Sequence, residues 1–254
     1  MSNYTYQQIP PAYSEVQQSS IDIPNDPIAN QDVFKIDCFV SETDISIRMA
    51  FIRKVYSILT MQLLGTVVSA YLVSYNETVK SFFMENPVLL ISSFILGLIS
   101  LITLNFKAKS YPLNVILLST FTLSESVLVG FIVLNSSATA VFQALVLTLG
   151  IFIGLTVFTI QSKYDFSQMG PILMFGIWGL VLLIIVQMFI PFGSAIELGI
   201  SVFAVFLFSG YIIYDTYMIM NRYTPDDYII ASVSLYLDII NLFIYLLRIL
   251  DRDQ

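Results

Sequence analysis

Long runs of apolar residues, separated by short polar connections, dominate the chain from about residue 55 onward. A helix needs roughly 20 apolar residues to cross the hydrocarbon core of a bilayer. Seven runs qualify, at residues 55–75, 88–105, 113–134, 139–160, 172–190, 197–220 and 229–250. The sequence therefore predicts an all-α integral membrane protein. Because the connections are short, consecutive helices are expected to lie antiparallel in a compact bundle.

The N-terminal part has a different composition. It is rich in Gln, Ser, Tyr and Pro and has no apolar stretch of the signal-peptide kind. Residues 1–46 are therefore predicted to form a disordered polar tail, and residues 47–254 the seven-helix transmembrane domain. Within the tail, Pro10, Pro11 and Tyr13 fit the Pro-Pro-x-Tyr form that WW domains bind. Chance accounts for so short a match equally well.

Basic residues concentrate on one side of the predicted membrane, which the positive-inside rule assigns to the cytosol. That side carries Arg48, Arg53, Lys54, Lys107, Lys109, Lys163 and Arg222, whereas the opposite loops carry Lys80. The N-terminus is thus expected to be cytosolic. The seventh run leaves two alternatives. Its length favours a full crossing, whereas Arg248 and Arg252 favour a segment that enters and returns.

Composition narrows the function. The chain is 57% apolar and 11% charged, with a net charge of −7, no histidine and one cysteine. The acidic balance argues against nucleic acid as a partner, and the bilayer is the expected surroundings. Without histidine there is no Ser-His-Asp triad and no near-neutral histidine switch. Any proton chemistry must be carried by carboxylates, and no cofactor is expected.

Two aspartates lie inside the last two apolar runs, where a charge costs at least ~2.5 kcal/mol on insertion scales. Asp215 and Asp238 are about equally far from the turn at residues 226–227. A helical hairpin would therefore place them at nearly the same depth. Facing carboxylates share a proton, so the charge of the pair would depend on pH and on any nearby cation.

Polar residues accompany Asp238 along one face of the seventh helix. Ser234, Asp238, Asn241 and Tyr245 follow the spacing i, i+4, i+7, i+11. This face is predicted to point inward, with the aspartates and their polar neighbours forming a pH-sensing ion pathway. The alternative is that these groups only join helices by hydrogen bonds.

Other charged residues have weaker signals. Glu125 lies near the centre of the third run, where a role in the pathway and a structural hydrogen bond fit equally. Arg53 is a candidate latch for an inward carboxylate, or a cytosolic-edge anchor. Asp226, Asp227 and Glu197 are candidates for the mouths of a pore, because carboxylates there attract cations. Carboxylate, amide and carbonyl oxygens suit calcium, expected to bind transiently at Asp215 and Asp238.

Several sequence blocks together resemble the transmembrane Bax inhibitor motif, or lifeguard, family. They are "IRMAFIRKVYSILTMQLL", "IGLTVFTIQSKYDFS", "GYIIYDTYMIM" and "LYLDIINLFIYLLRIL". Two further blocks, "KSYPLNVILLSTFTLSES" and "TPDDYIIASVSLYLDIINLF", resemble its Golgi anti-apoptotic branch. The order and spacing of the blocks extend from residue 37 to residue 250.

The resemblance implies a bundle in which six helices surround a central seventh. It implies a pH-tuned calcium leak in Golgi, endoplasmic reticulum or other internal membranes, and suppression of apoptosis. The pH-sensing pair of the family maps onto Asp215 and Asp238. Acidic residues linked to conduction in the Golgi branch fall at Asp226 and Glu197, although Asp226 stands where that branch usually has Glu.

Two other functions remain as alternatives. A non-conducting scaffold would act by binding Bcl-family or WW-domain proteins. An intramembrane aspartyl protease would also place one aspartate in each of two adjacent helices, the first after tyrosine, as in Tyr214-Asp215. That class has Gly-x-Gly-Asp at the second aspartate, whereas this chain has Leu235, Tyr236 and Leu237 before Asp238. The protein is therefore not expected to be an enzyme.

Overall fold

The computed structural model describes residues 39–253, and this part of the chain folds into eight α-helices without a β-strand. The helices are α1 (Ile45–Tyr75), α2 (Glu77–Glu85), α3 (Val88–Lys107), α4 (Leu113–Val133), α5 (Ala138–Gln161), α6 (Gly170–Phe189), α7 (Ser194–Asn221) and α8 (Tyr228–Leu250). All except α2 are long and apolar enough to cross a membrane. The predicted all-α membrane fold is confirmed.

Two helices begin three or more residues before their apolar runs. The first helix begins at Ile45 instead of residue 55, so Arg53 lies within it. Its 31 residues span about 46 Å, more than the roughly 30 Å hydrocarbon core. Similarly, Glu197 lies in the first turn of α7. A helix satisfies its backbone hydrogen bonds internally, so it continues past the apolar run into the polar interface.

The short helix α2 was not predicted from the sequence, because nine residues are too few to register as a membrane span. The side chain of Asn76 caps it by accepting hydrogen bonds from the backbone of Thr78 and Val79, at 3.0 and 3.3 Å. Phe83 of α2 packs on Phe131 of α4, with ring centroids 4.9 Å apart. A Cβ atom at Gly130 would lie 2.7 Å from the Phe83 ring, so this approach requires glycine.

Helix α8 is the centre of the bundle. Buried residues make up 72% of its apolar window, against 11–33% in the other six spans. Its main contacts are with α1, α4, α5 and α7, while α3 packs outside α4 and α6 outside α7. The central position of the seventh span is confirmed. Four of the six surrounding spans provide most of its contacts.

Several contacts fix the N-terminal end of α8. Asp227 and Thr224 form a capping box, in which Asp227 Oδ2 accepts from Thr224 N at 3.0 Å and from Thr224 Oγ1 at 2.6 Å. The other carboxylate oxygen of Asp227 pairs with Lys109 Nζ at 3.2 Å. Lys54 Nζ lies 3.3 Å from the centre of the Tyr228 ring.

The C-terminal end of α8 is fixed at the opposite end of the bundle. Asp251 Oδ1 accepts a hydrogen bond from the Ser137 backbone, just before α5, at 3.1 Å. Arg252 Nη1 donates to the carbonyl oxygen of Ser194, the first residue of α7, at 2.8 Å. Between these ends α8 is one uninterrupted helix of 23 residues, about 35 Å long. A helix of this length is long enough to cross the roughly 30 Å hydrocarbon core.

The residues that precede α1 pack against the turn between α7 and α8. Val40 N donates to Tyr223 O and Ser41 Oγ to Asn221 O, both at 2.9 Å, and Val40 is fully buried. Residues 39–46, assigned from sequence to the tail, are thus part of the fold. The WW-ligand candidates Pro10, Pro11 and Tyr13 lie outside the described residues.

A labelling experiment tests the crossing of α8. Single cysteines at Asp226 and Arg252, each introduced into a Cys38→Ser background, are expected to react from opposite sides of sealed vesicles with a membrane-impermeant maleimide. The physical reason is that the two positions lie at opposite ends of one spanning helix. Glu85→Cys, at the end of α2, should react from the same side as Arg252→Cys. Labelling of Asp226→Cys and Arg252→Cys from the same side would contradict the crossing.

Candidate functional site

The hairpin of α7 and α8 brings Asp215 and Asp238 together. Their side chains are only 9% and 6% exposed, and the two carboxyl groups lie within hydrogen-bonding reach of each other. Equal separation from the turn explains the shared depth. Among the described residues, neither aspartate has a cationic partner. This pair is therefore buried carboxyl against carboxyl, without a neutralising charge.

The pair borders a cavity of about 420 Å³ between α6, α7 and α8. Its polar lining comes from Tyr211, Asp215, Ser234, Asp238 and Asn241. Its apolar lining comes chiefly from α6, through Ile177, Leu180, Val181 and Ile184. The polar stripe of α8 thus faces one space with Asp215. The amide nitrogen of Asn241 donates to Leu237 O at 2.8 Å, which leaves its amide oxygen for the cavity.

One carboxylate oxygen at this site has no partner. Asp238 Oδ2 is buried and accepts no hydrogen bond from any described residue. A buried polar atom without a partner costs about 1–3 kcal/mol, and more when it is charged. The site therefore favours any species that satisfies this oxygen: a proton on the pair, a water molecule or a cation.

The cavity offers oxygen atoms but not a closed metal site. Carboxylate, amide and hydroxyl oxygens are ligands that calcium prefers. Among residues 39–253 there is no group of three or more His, Cys, Asp or Glu side chains that could hold a metal ion. Two carboxylates and a few neutral oxygens are fewer ligands than the six to eight oxygens of a typical calcium site.

The other intramembrane candidates are not at this cavity. Arg53 is exposed on α1 and forms no ion pair with any described residue. Glu125 lies half-buried on α4 and faces α3, where a Cβ atom at Gly97 would be 3.8 Å from its Oε1. The structure therefore separates both residues from the aspartate pair. In this conformation a latch by Arg53 is not formed.

The pore-mouth candidates lie at both ends of the α7–α8 hairpin. Asp226 is exposed at the turn, and its neighbour Asp227 is occupied by the capping box and Lys109. Glu197 lies at the far end of α7 and accepts a hydrogen bond from Gln187 Nε2 at 3.0 Å. Asp226 is thus the freer of the two carboxylates at the turn.

Comparison with known proteins accounts for this architecture. Residues 48–254 match the family described as "Inhibitor of apoptosis-promoting Bax1". The chain belongs to this Bax inhibitor family.

Similar proteins come from distant sources. "Bax inhibitor 1" of Schizosaccharomyces pombe is 41% identical over 97% of this chain and 91% of its own. "Protein lifeguard 4" of Mus musculus is 42% identical over 87% of this chain and 92% of its own. "Golgi anti-apoptotic protein" of vaccinia virus (strain Lister) is 39% identical over 87% of this chain and 93% of its own. The resemblance read from the sequence blocks is confirmed.

In this Bax inhibitor family member, α8 also carries a polar contact on its other side. Tyr236 OH lies 2.8 Å from Thr66 Oγ1 of α1, which in turn lies 3.2 Å from Ser126 Oγ of α4. Gln62 Nε2 joins the same set through Thr122 Oγ1 at 3.0 Å. These groups connect the central helix to α1 and α4.

The sequence did not predict this network, although it contained a signal. Gln62 and Thr66 are four residues apart, as are Thr122 and Ser126, so each pair shares one helix face. Within apolar runs, such pairs indicate helix–helix contacts. A polar contact of Tyr236 was not predicted, because Tyr236 lies about 200° around the helix from Asp238 and so outside the polar stripe.

Of the three bulky residues before Asp238 that argued against a protease, two do not lie at the aspartate cavity. Leu235 and Tyr236 are fully buried in the core and do not line the aspartate cavity. Only Leu237 is at the cavity, and it alone would obstruct a substrate there. The case against a protease in this family member thus rests on Leu237 and on the missing Gly-x-Gly-Asp pattern.

The carboxyl group of Asp165, in the loop between α5 and α6, is exposed. Hydrogen bonds from Ser167, first from its hydroxyl and then from its backbone N–H, lower the pKa of Asp165 to about 2. The bond to the backbone of Ser167 measures 2.9 Å. Asp165 therefore stays ionised over the physiological range and does not supply pH sensitivity there.

Removing the Tyr236 hydroxyl tests the contact between α8 and α1. Tyr236→Phe is expected to lower the free energy of unfolding by about 0.6 kcal/mol or more, the average for hydrogen bonds between membrane helices. The measurement is the unfolding midpoint in mixed micelles of dodecyl maltoside and SDS. Tyr71→Phe is the matched control, since Tyr71 is exposed on α1. Equal midpoints for the two variants would contradict a stabilising role of Tyr236.

Proposed function

We propose that the protein is a pH-sensitive calcium leak channel of an intracellular membrane. One observation carries the proposal: the buried pair of Asp215 and Asp238 faces a cavity beside the central helix, together with the polar groups of Ser234 and Asn241, and has no cationic partner among the described residues. Intramembrane carboxylates that face a cavity mark ion pathways and proton relays. The absence of histidine leaves carboxylates as the sensing groups.

The proposed mechanism uses the charge of the pair. When the two carboxyl groups share a proton, they hold α7 and α8 together through a hydrogen bond. As pH rises and this proton leaves, both groups are charged, they repel each other, and they draw a cation into the cavity. Ser234 and Asn241 supply neutral oxygens that replace part of its hydration. Calcium flux is therefore expected to rise with pH.

The biological role follows from the relatives. Their names describe a Bax inhibitor in fission yeast and an anti-apoptotic protein of the Golgi in vaccinia virus. We extend both to this chain as part of the proposal. A leak lowers the calcium content of the store, and a store with less calcium releases less when a death signal opens it. The Golgi is the first compartment in which to look.

Neutralising the pair tests the mechanism. Asp215→Asn and Asp238→Asn are each expected to abolish the pH dependence of calcium flux from about pH 5 to pH 8, because neither variant retains two titrating groups that face each other. The measurement uses the full chain in liposomes loaded with a calcium dye. Unchanged pH dependence in both variants would rule out the pair as the sensor.

A matched substitution controls for the loss of any carboxylate. Asp44 precedes α1 and is exposed, and its side chain makes no hydrogen bond to the helix end. Asp44→Asn removes one charge of the same type and should leave both the flux and its pH dependence as in the unmodified protein. A flattened pH response in Asp44→Asn would mean that general surface charge, and not the buried pair, sets the response.

A second candidate function is a non-conducting scaffold. The observation that favours it is that the names of these three relatives concern Bax, apoptosis or a lifeguard role, and none mentions transport. Deletion of residues 1–30 separates the two functions, since it removes the WW-ligand candidate and leaves the helices. If the protein is a channel, cell survival and calcium flux should both persist in the deletion variant. Loss of survival with intact flux would favour the scaffold.

A further inference from the structure

A second cavity, of about 260 Å³, lies on the other side of α8. It is bounded by α1, α4, α5 and α8, and its lining is almost entirely aliphatic and aromatic. The cavity opens between α1 and α5, which have little contact with each other. Helix α1 packs closely on α4, and α5 on α7, but α1 and α5 touch each other only slightly.

The cavity has a buried floor and an exposed rim. Ile240 and Phe243 of α8 form part of the floor and are 5% and 3% exposed. Val67 of α1 and Val146 and Leu149 of α5 form the rim and are 38%, 53% and 56% exposed. The cavity is therefore a slot that opens sideways. Its rim continues the apolar surface that the spanning helices turn toward the bilayer.

We propose that this slot binds an acyl chain of a bilayer lipid. Its lining residues on α1 run from Leu63 to Ala70, so it extends about 10 Å along the helix axis. That axis is also the average direction of lipid chains. Apolar cavities of about 150 Å³ already bind small hydrocarbons in other proteins. A larger slot that faces hydrocarbon offers a chain both space and contacts.

Other occupants fit the slot less well. A buried water needs two to four polar partners. The two hydroxyls of the lining are already used: Thr148 donates to Ala144 O at 2.7 Å, and Thr66 bonds with Tyr236 at 2.8 Å. A helix of a second protein has a diameter of 10–12 Å. It is too wide for the seam, because α1 and α5 still touch.

The bound chain would pack on the back of α8 at the depth of the aspartates. Ile239 and Ile240 follow Asp238 directly and point into the slot, whereas Asp238 and Asn241 point into the aspartate cavity. The lipid site stands without the channel. Only its consequence rests on the proposed function: a chain behind α8 would support this helix when the pair changes its charge.

Photolabelling tests the lipid site in the full chain. The protein is reconstituted into phosphatidylcholine vesicles in which one acyl chain carries a diazirine in its distal half. Illumination is expected to attach lipid to Ile239, Ile240 and Phe243 of α8, as resolved by mass spectrometry of the labelled peptide. These three residues line the slot, whereas Asn241 between them lines the aspartate cavity, so label on the three reports entry through the slot.

Two matched pairs of variants locate the entry. Val67→Trp fills the mouth of the slot and should reduce labelling of Ile239, Ile240 and Phe243 several-fold. Val68→Trp, on the neighbouring exposed position of α1, should leave it unchanged. Leu149→Trp and Leu147→Trp form the corresponding pair on α5. The second pair keeps the test decisive if one variant fails to fold, which the unfolding midpoint in detergent reveals.

The outcomes are distinct from those of the flux experiment. No labelling of Ile239, Ile240 and Phe243, or equal labelling of them in folded Val67→Trp and Val68→Trp, would overturn the lipid site whatever the channel does. Labelling that Val67→Trp and Leu149→Trp remove, and their controls keep, would establish it. If the site is established and both Asp215→Asn and Asp238→Asn keep the pH dependence, the proposed channel mechanism fails while the lipid site remains.

Discussion

The structure depends on the burial of two carboxyl groups against each other inside an apolar bundle. Two unit charges about 4 Å apart interact by about 4 kcal/mol at an effective dielectric constant near 20. Repulsion of that size exceeds a single hydrogen bond several-fold. Because α8 is surrounded by other helices, Asp238 cannot escape toward water by a change of rotamer. The pair must take up a proton or a cation, or α7 and α8 must separate. In the proposed channel, sensing and cation attraction both follow from this one arrangement.

At the depth of the aspartates, each side of α8 faces a different environment. Asp238 faces the aspartate cavity, Tyr236 bonds to Thr66 of α1, and Ile240 lies against the slot between α1 and α5. Tyr236 fixes the rotation of the helix, because the hydroxyl has its partner, Thr66, in one orientation. That rotation aims Asp238 at α7. The aspartate site is therefore held by a contact on the opposite side of the same helix.

Much of this was predictable from the sequence, and the failures have physical causes. The apolar runs predicted all seven spans because the length of a run reflects the thickness of the bilayer. The depth of Asp215 and Asp238 followed from their equal distance to a turn. Helix α2 was not predicted, because its stability comes from the Asn76 cap and from packing of Phe83. The length of an apolar run does not reveal either contact. The position of Glu125 against α3 depends on which faces two helices share, and one sequence does not contain that information.

The contacts at the two ends of α8 restrict how a change of charge can move the bundle. At one end, Asp227 holds Thr224 and Lys109; at the other, Asp251 and Arg252 hold the starts of α5 and α7. Sliding of α8 along its axis would break all of these contacts together. Helix α6 is different, since buried residues make up only 11% of its apolar window and it packs chiefly on α7. It also supplies the apolar wall of the aspartate cavity. Helix α6 is therefore the part of the cavity wall that is held by the least buried packing, whereas repulsion within the pair acts on α7 and α8, which carry the two aspartates.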